Sequence, residues 1–83
     1  MMNKKVFIGK HLRKMLETRN MTQEELAQKT GLFQQLISRY CNDITVPTAT
    51  ALFLMAMVLD CSIDFLVTGK EFERKAVKQD GMC

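Results

Sequence analysis

Residues 22–42 carry the strongest structural signal in the chain and read TQEELAQKTGLFQQLISRYCN. The segment opens with Thr22-Gln23-Glu24-Glu25, the pattern of a capping box, in which the threonine hydroxyl accepts from the Glu25 amide and the Glu25 carboxylate reaches back to the threonine amide. Gly31 then provides a stop, because glycine adopts a positive φ without a Cβ clash. The pattern predicts a short capped helix, a tight turn and a second helix.

The second of these helices separates apolar from polar residues. Its apolar residues, spaced at i, i+3, i+4 and i+7, are Phe33, Leu36, Ile37 and Tyr40. At about 100° per residue, the intervening polar side chains fall within a sector of roughly 140° on the opposite side. Those side chains are Gln34, Gln35, Ser38, Arg39 and Asn42. The spacing predicts a helix around residues 33–41 that buries one side and presents amides, a hydroxyl and a guanidinium on the other.

Helical signals continue on both sides of this segment. Upstream, apolar residues between Ile8 and Leu16 recur at the spacing of an amphipathic helix that ends near Arg19-Asn20. Downstream, Pro47-Thr48 starts a fourth helix, and a short fifth helix runs from the capping residue Ser62 to a stop at Gly69. We therefore expect an all-α, compact five-helix domain. Its predicted bounds are an N-terminal arm, 1–7, the domain, 8–69, and a polar C-terminal tail, 70–83, with at most one or two weak helical turns.

Length and charge limit the class of protein. A chain of 83 residues, 47% hydrophobic and 25% charged, makes one small globular domain. The net charge is +3, but eight basic and three acidic residues give +5 over 1–42, whereas four basic and six acidic residues give −2 over 43–83. A basic half favours a polyanionic partner, although a solvated basic face is the commoner explanation of such an excess.

Other classes of function find no residues to support them. Cys41, Cys61 and Cys83 form no C-x-x-C pair and His11 is the single histidine, so we expect reduced thiols and no metal site or cofactor. Because no phosphate loop and no nucleophile-and-base set occur, we expect neither an enzyme nor a small-molecule substrate. The longest apolar run, Ala51 to Leu59, has nine residues, too few to cross a membrane. With no secretion signal at the N-terminus, the chain is interpreted as cytoplasmic.

The capped helix, the glycine turn and the helix with a polar face together make a helix-turn-helix. A helix is narrow enough to enter the major groove of DNA, where glutamine pairs with N6 and N7 of adenine and arginine pairs with O6 and N7 of guanine. The candidate base contacts are therefore Gln34, Gln35, Ser38 and Arg39. On an isolated helix, such a face is more often only a solvated surface. Its position behind a capping box and a glycine turn favours recognition of double-stranded DNA.

The chain resembles the phage repressor and Cro family, also called the XRE-type helix-turn-helix family. The likeness rests on residues 22–31 followed by Ile37 and Tyr40, on Pro47-Thr48 and on residues 62–69. It implies a domain that binds operator DNA as a symmetric homodimer and regulates transcription, as a repressor in our interpretation. It also implies that Gln23 contacts a phosphate and braces Gln34, and that Asn42 contacts the DNA backbone.

The chain departs from the family pattern around the recognition helix. Leu16 and Cys41 occupy the positions where the family often has a buried arginine–glutamate pair. Because both charged residues are replaced by apolar ones, no unpaired charge is left in the core. Phe33 takes the place of the usual Ser or Thr cap, and the loop 43–46 has no Lys or Arg to contact phosphates. Phe33 and Leu36 flank the groove-facing side, where apolar atoms either touch thymine methyls or disturb its hydration.

The fourth helix departs from the pattern as well. Between Ala49 and Leu59 only Thr50 is polar, so we expect this helix to be buried on more than one side. We predict that Leu54, Met57 and Phe65 belong to a dimer or partner surface. The same apolar features keep a second hypothesis open, a protein-interaction module that retains the helix-turn-helix fold without operator binding.

Overall fold

The computed structural model describes residues 5–70, and over this range it contains five α-helices and no strand. The helices are α1 (Gly9–Thr18), α2 (Gln23–Thr30), α3 (Gln34–Cys41), α4 (Ala49–Leu59) and α5 (Ile63–Thr68). The predicted all-α architecture of five helices is confirmed. Residues 1–4 of the predicted arm and residues 71–83 of the predicted tail lie outside the described residues.

The helix boundaries follow the caps that the sequence predicts. The hydroxyl of Thr22 accepts from the amide of Glu25, and the Glu25 carboxylate accepts from the amide of Thr22, each at 3.0 Å. Both halves of the capping box are therefore formed. The other predicted N-caps and stops are also present: Thr48 caps α4, Ser62 caps α5, and Gly31 and Gly69 end α2 and α5 with φ near 84° and 81°.

One apolar core joins all five helices. Its most deeply buried side chains, each no more than 2% exposed, are Ile8, Leu12, Leu26, Ile37, Tyr40, Cys41, Ala51, Met55, Leu59 and Leu66. Leu16 also lies in this core, at 6% exposure. The two positions where the resemblance implies a buried ion pair, Leu16 and Cys41, thus hold buried apolar groups, and no polar or charged side chain is buried within residues 5–70.

Hydrogen bonds to the backbone fix α1 on the ends of two other helices. No side chain caps α1 at Ile8, and the amide of Gly9 instead donates to the Asp43 carboxylate at 2.9 Å. Arg13 donates to the carbonyl of Cys41, the last residue of α3. Arg19 donates through Nε to the carbonyl of Leu59 at 2.7 Å and through Nη2 to that of Asp60 at 2.9 Å. These contacts hold the C-terminal ends of α3 and α4 against α1.

One expectation about apolar faces is wrong, and the predicted burial of α4 on a second side, by a partner, is not tested by the single chain. Phe33 is not part of the buried stripe of α3; it precedes the helix as its uncapped N-cap residue and is 79% exposed. The helix α4 is buried on one side only, through Ala51, Met55, Ala56 and Leu59, whereas Phe53 and Met57 are exposed. Periodicity placed Phe33 in phase with the core but did not show that the chain leaves the helix there. No helix within residues 5–70 has the length and hydropathy to span a membrane.

Candidate nucleic-acid interface

A three-residue turn sets the geometry of α2 and α3. Gly31 ends α2 with its amide donating to the carbonyl of Ala27 at 2.8 Å. The hydroxyl of Thr30 accepts from the amide of Leu32 at 3.2 Å, and the half-buried Leu32 side chain packs against the core. Ile37 and Tyr40 anchor the inner side of α3. The opposite side of α3 consequently faces outward.

Four of the six predicted contact residues line one open cleft. Gln23, at the start of α2, meets Gln34, Gln35 and Ser38 of α3 around a volume of about 400 Å³. Gln34 and Gln35 are exposed, whereas Gln23 and Ser38 are half-buried. Three amides and a hydroxyl offer both hydrogen-bond donors and acceptors, which is what the edges of base pairs and phosphate oxygens require. Gln23 and Gln34 therefore line the same cleft.

The other two predicted residues lie beyond this cleft. Asn42 follows the last turn of α3, and its amide nitrogen donates to the Ser38 hydroxyl at 3.4 Å. The structure therefore connects Asn42 to the edge of the cleft. Arg39 lies in the last turn of α3 and is exposed, but it does not line the cleft. The contact roles of all six residues remain predictions.

The groups that face inward from α3 are uncharged at neutral pH. Burial raises the pKa of the Tyr40 phenol, and a backbone hydrogen bond at Thr48 opposes that change. Burial also raises the pKa of the Cys41 thiol; nearby Arg13 lowers it and Asp43 adds to the rise. Formal charge on α3 thus comes from Arg39 on the outer side. In the loop after α3, the apolar Ile44 is 63% exposed.

Two residues that join α1 to the C-terminal end of α3, Arg13 and Asp43, were not predicted from the sequence. Asp43 adopts a φ of 57°, a left-handed conformation that Asp and Asn tolerate better than most residues. An aspartate just after a helix was therefore a readable signal for the end of α3. Its contact with Gly9, 34 positions away, depends on tertiary structure and left no local pattern.

The predicted partner surface is only partly exposed. Met57 is 62% exposed and lines an apolar groove of about 400 Å³ together with Phe53, Ala56, Asp60, Cys61 and Ile63. Leu54 and Phe65 are half-buried, and the Phe65 ring lies 6.0 Å from the His11 ring. Phe53 and Ile63 were not predicted as part of this surface. Within residues 5–70, no three His, Cys, Asp or Glu residues are grouped as metal ligands.

Comparison with known proteins places this geometry in a family. A family model described as helix-turn-helix matches residues 12–66. The chain therefore belongs to the helix-turn-helix family, of the XRE type that its sequence resembles. A DNA-binding transcription regulator of this type is the class that fold and family define. No curated protein sequence matches the chain significantly.

Several solved structures share the fold. The P22 c2 repressor in complex with a synthetic operator aligns with a TM-score of 0.72 and 25% identity over 77% of this chain and 97% of that chain. The solution structure of the P22 c2 repressor DNA-binding domain gives the same TM-score and identity over 83% and 88% of the two chains. SinR, a master regulator for biofilm formation, in complex with DNA, aligns with a TM-score of 0.69 and 26% identity over 72% and 97%.

Proposed function

We propose that this chain is a sequence-specific repressor that reads the major groove of operator DNA with α3. The observation that carries the proposal is the open cleft where Gln23 meets Gln34, Gln35 and Ser38. Amide side chains at this place match the donor and acceptor pattern of adenine in the major groove. The P22 c2 repressor and SinR, whose structures include DNA, have the same fold and support the proposal.

The contact residues divide into two kinds. Gln34, Gln35, Ser38 and Arg39 contact base edges and specify the sequence, because they lie on the outward side of α3. Gln23 and Asn42 contact phosphates and fix the register of the protein on the duplex.

A homodimer completes the proposed mechanism. Two copies place their α3 helices in successive major grooves on one face of the duplex, about 34 Å apart. The groove lined by Met57, Phe53 and Ile63 joins the copies, and the half-buried Leu54 and Phe65 are predicted to take part in the same interface. Bound in this way, the dimer blocks access of polymerase to the promoter. Sedimentation should show a dimer at micromolar concentration, and a monomer at high concentration would contradict this part.

Selection from a random-sequence duplex pool tests the proposal. Gel shifts at two salt concentrations should enrich one sequence class and show weaker binding at the higher salt, because phosphate contacts release counterions. Binding to all duplexes alike, or to none, would contradict the proposal. The absence of an enriched sequence would favour the alternative function, a protein-interaction module. The observation that supports this alternative is the exposure of Phe53, Met57 and Ile44.

Two substitutions separate the two kinds of contact. Gln35→Ala should relax the preference at one base pair by about 1–3 kcal/mol, whereas Gln23→Ala should weaken binding to all sequences by a similar factor. Thr68→Ala, an exposed side chain at the end of α5, is the matched control and should leave binding unchanged. Identical base-preference profiles for the two glutamine variants would refute the assigned roles.

A further inference from the structure

Phe33 is the most exposed large apolar side chain within residues 5–70, at 79%. It sits at the N-cap of α3, where its side chain makes no capping hydrogen bond. A Ser or Thr at this position stabilises a helix by about 1 kcal/mol relative to an uncapped residue. The phenyl ring therefore contributes neither a cap nor buried area to the folded chain.

The position of Phe33 relative to the proposed base contacts gives the ring a different role. Phe33 and Gln34 line the same groove, about 380 Å³, between the start of α3 and the outer side of α2. Gln34 also lines the cleft with Gln23, Gln35 and Ser38. Gln34 thus separates a polar cleft on one side from the phenyl ring on the other. The remaining residues of the second groove are Glu24, Ala27, Gln28, Gly31 and Leu32.

The N-terminal end of a recognition helix is the part that reaches base edges in the major groove. The one apolar group that base pairs display there is the C5-methyl of thymine, which phenylalanine contacts favourably. Neighbouring Cα atoms lie about 3.8 Å apart, close to the roughly 3.4 Å step between base pairs. Phe33 directly precedes Gln34 along the chain, so its ring is close enough to contact the base pair beside the one that Gln34 reads.

We infer that Phe33 is a specificity-determining residue that binds a thymine methyl on the base pair next to the Gln34 contact. The inference rests on the proposed function, since it requires α3 to enter the major groove. Phe33 does not cap α3, and in this role it contacts an A·T pair directly through the thymine methyl. The other exposed large apolar side chains lie elsewhere, before α1, in the loop after α3, and on α4 and α5.

Single-atom changes in the DNA test this inference. Wild-type protein first selects an operator from a random duplex pool, and each thymine of that operator is then replaced in turn by deoxyuridine, which lacks only the methyl. One replacement, beside the base pair whose preference Gln34→Ala relaxes, should weaken wild-type binding about fourfold, as expected for one buried methyl. Phe33→Ser, which restores a capping side chain, should bind the thymine and deoxyuridine duplexes equally.

Phe7→Ser is the matched control, because it removes an exposed phenyl ring that precedes α1 and belongs to neither proposed contact surface. It should keep the wild-type ratio between thymine and deoxyuridine duplexes. Three outcomes would each overturn the inference and leave the proposed regulator function intact. The operator could lack a thymine beside the Gln34 contact, or wild-type protein could bind all deoxyuridine duplexes equally. In the third outcome, Phe33→Ser would still bind the thymine duplex more tightly than the deoxyuridine duplex, by the wild-type factor. Failure to enrich any operator would overturn both.

Discussion

Replacing Gly9 by alanine should destabilise the domain, against the usual expectation for a glycine in a helix. Alanine at a helical glycine normally stabilises by about 0.5–1 kcal/mol, because glycine loses more backbone entropy on folding. Gly9 is the first residue of α1 and is buried against the end of α3. A Cβ there would lie 2.5 Å from the carbonyl oxygen of Cys41 and 2.9 Å from that of Tyr40, and closer still to the Asp43 carboxylate.

The magnitude follows from which atoms would have to move. Two of the three neighbours are backbone carbonyls of the last turn of α3, so rotation of a side chain does not relieve them. Overpacking of this kind costs about 1–3 kcal/mol. The Gly9–Asp43 hydrogen bond that caps α1 would be lost or stretched as α1 shifts, which adds about 1 kcal/mol. The free energy of unfolding should therefore fall by about 1–3 kcal/mol after the entropic gain is subtracted.

Urea unfolding followed by circular dichroism measures this change as a lower midpoint at constant slope. Lys10→Ala, at the exposed neighbouring position, is the control and should stay within about 0.5 kcal/mol of wild type. Asp43→Ala removes one of the three contacts but not the two carbonyls, so Gly9→Ala should remain destabilising in that background. A midpoint equal to or above that of wild type would show that α1 does not pack on the end of α3 as described.

Three further predictions concern stability. Leu16→Arg should lower the free energy of unfolding by about 3–5 kcal/mol, because it buries an unpaired charge. Adding Cys41→Glu should recover most of the loss by restoring a buried ion pair. Additive effects of the two substitutions in a urea double-mutant cycle would show that the two positions do not form a pair. Thr22→Ala should cost about 1 kcal/mol in thermal unfolding and Thr22→Ser much less, whereas equal losses would refute the capping role. Because burial raises the pKa of Tyr40 and Cys41, the folded state keeps their protons more tightly than the unfolded chain does. The unfolding free energy should thus be insensitive to each group below its ordinary pKa, 10.0 for Tyr40 and 9.0 for Cys41, and should fall as pH rises above that value. An identical decline in Tyr40→Phe would exclude Tyr40 as a source.

Local sequence signals predicted the elements of this fold because most of its helix ends are closed locally. Thr22 and Glu25 bond to each other across three residues, and glycines end α2 and α5. The cleft was also predictable, because Ile37 and Tyr40 fix which side of α3 is buried and so leave Gln34 and Gln35 outside.

Contacts between distant residues were not predictable in this way. The start of α1 is capped by Asp43 rather than by a neighbour, and Arg19 bonds to the end of α4, 40 positions away. Phe33 has the periodicity of a core residue, but the backbone at Phe33 has extended angles, with φ −72° and ψ 143°, and the ring leaves the core. The spacing of apolar residues predicts which side chains are buried only if the backbone is helical at each of them. At Phe33 the helix has not yet begun, so the spacing predicts burial for a side chain that is exposed.

The way in which α3 is held has a consequence for how its outer face can vary. The helix is fixed from within by Ile37, Tyr40 and Cys41 and at its C-terminal end by Arg13. Gln34, Gln35 and Arg39 are exposed, and exposed side chains away from caps and cores typically change stability by less than about 0.5 kcal/mol when replaced. These proposed contact residues can therefore be exchanged without unfolding the domain, so a loss of DNA binding in such variants would report on the proposed contacts and not on folding. Phe33 is exposed, as these polar residues are, although its side chain is apolar like those of the core. An apolar side chain that the fold leaves in solvent is the reason to propose that Phe33 contacts DNA.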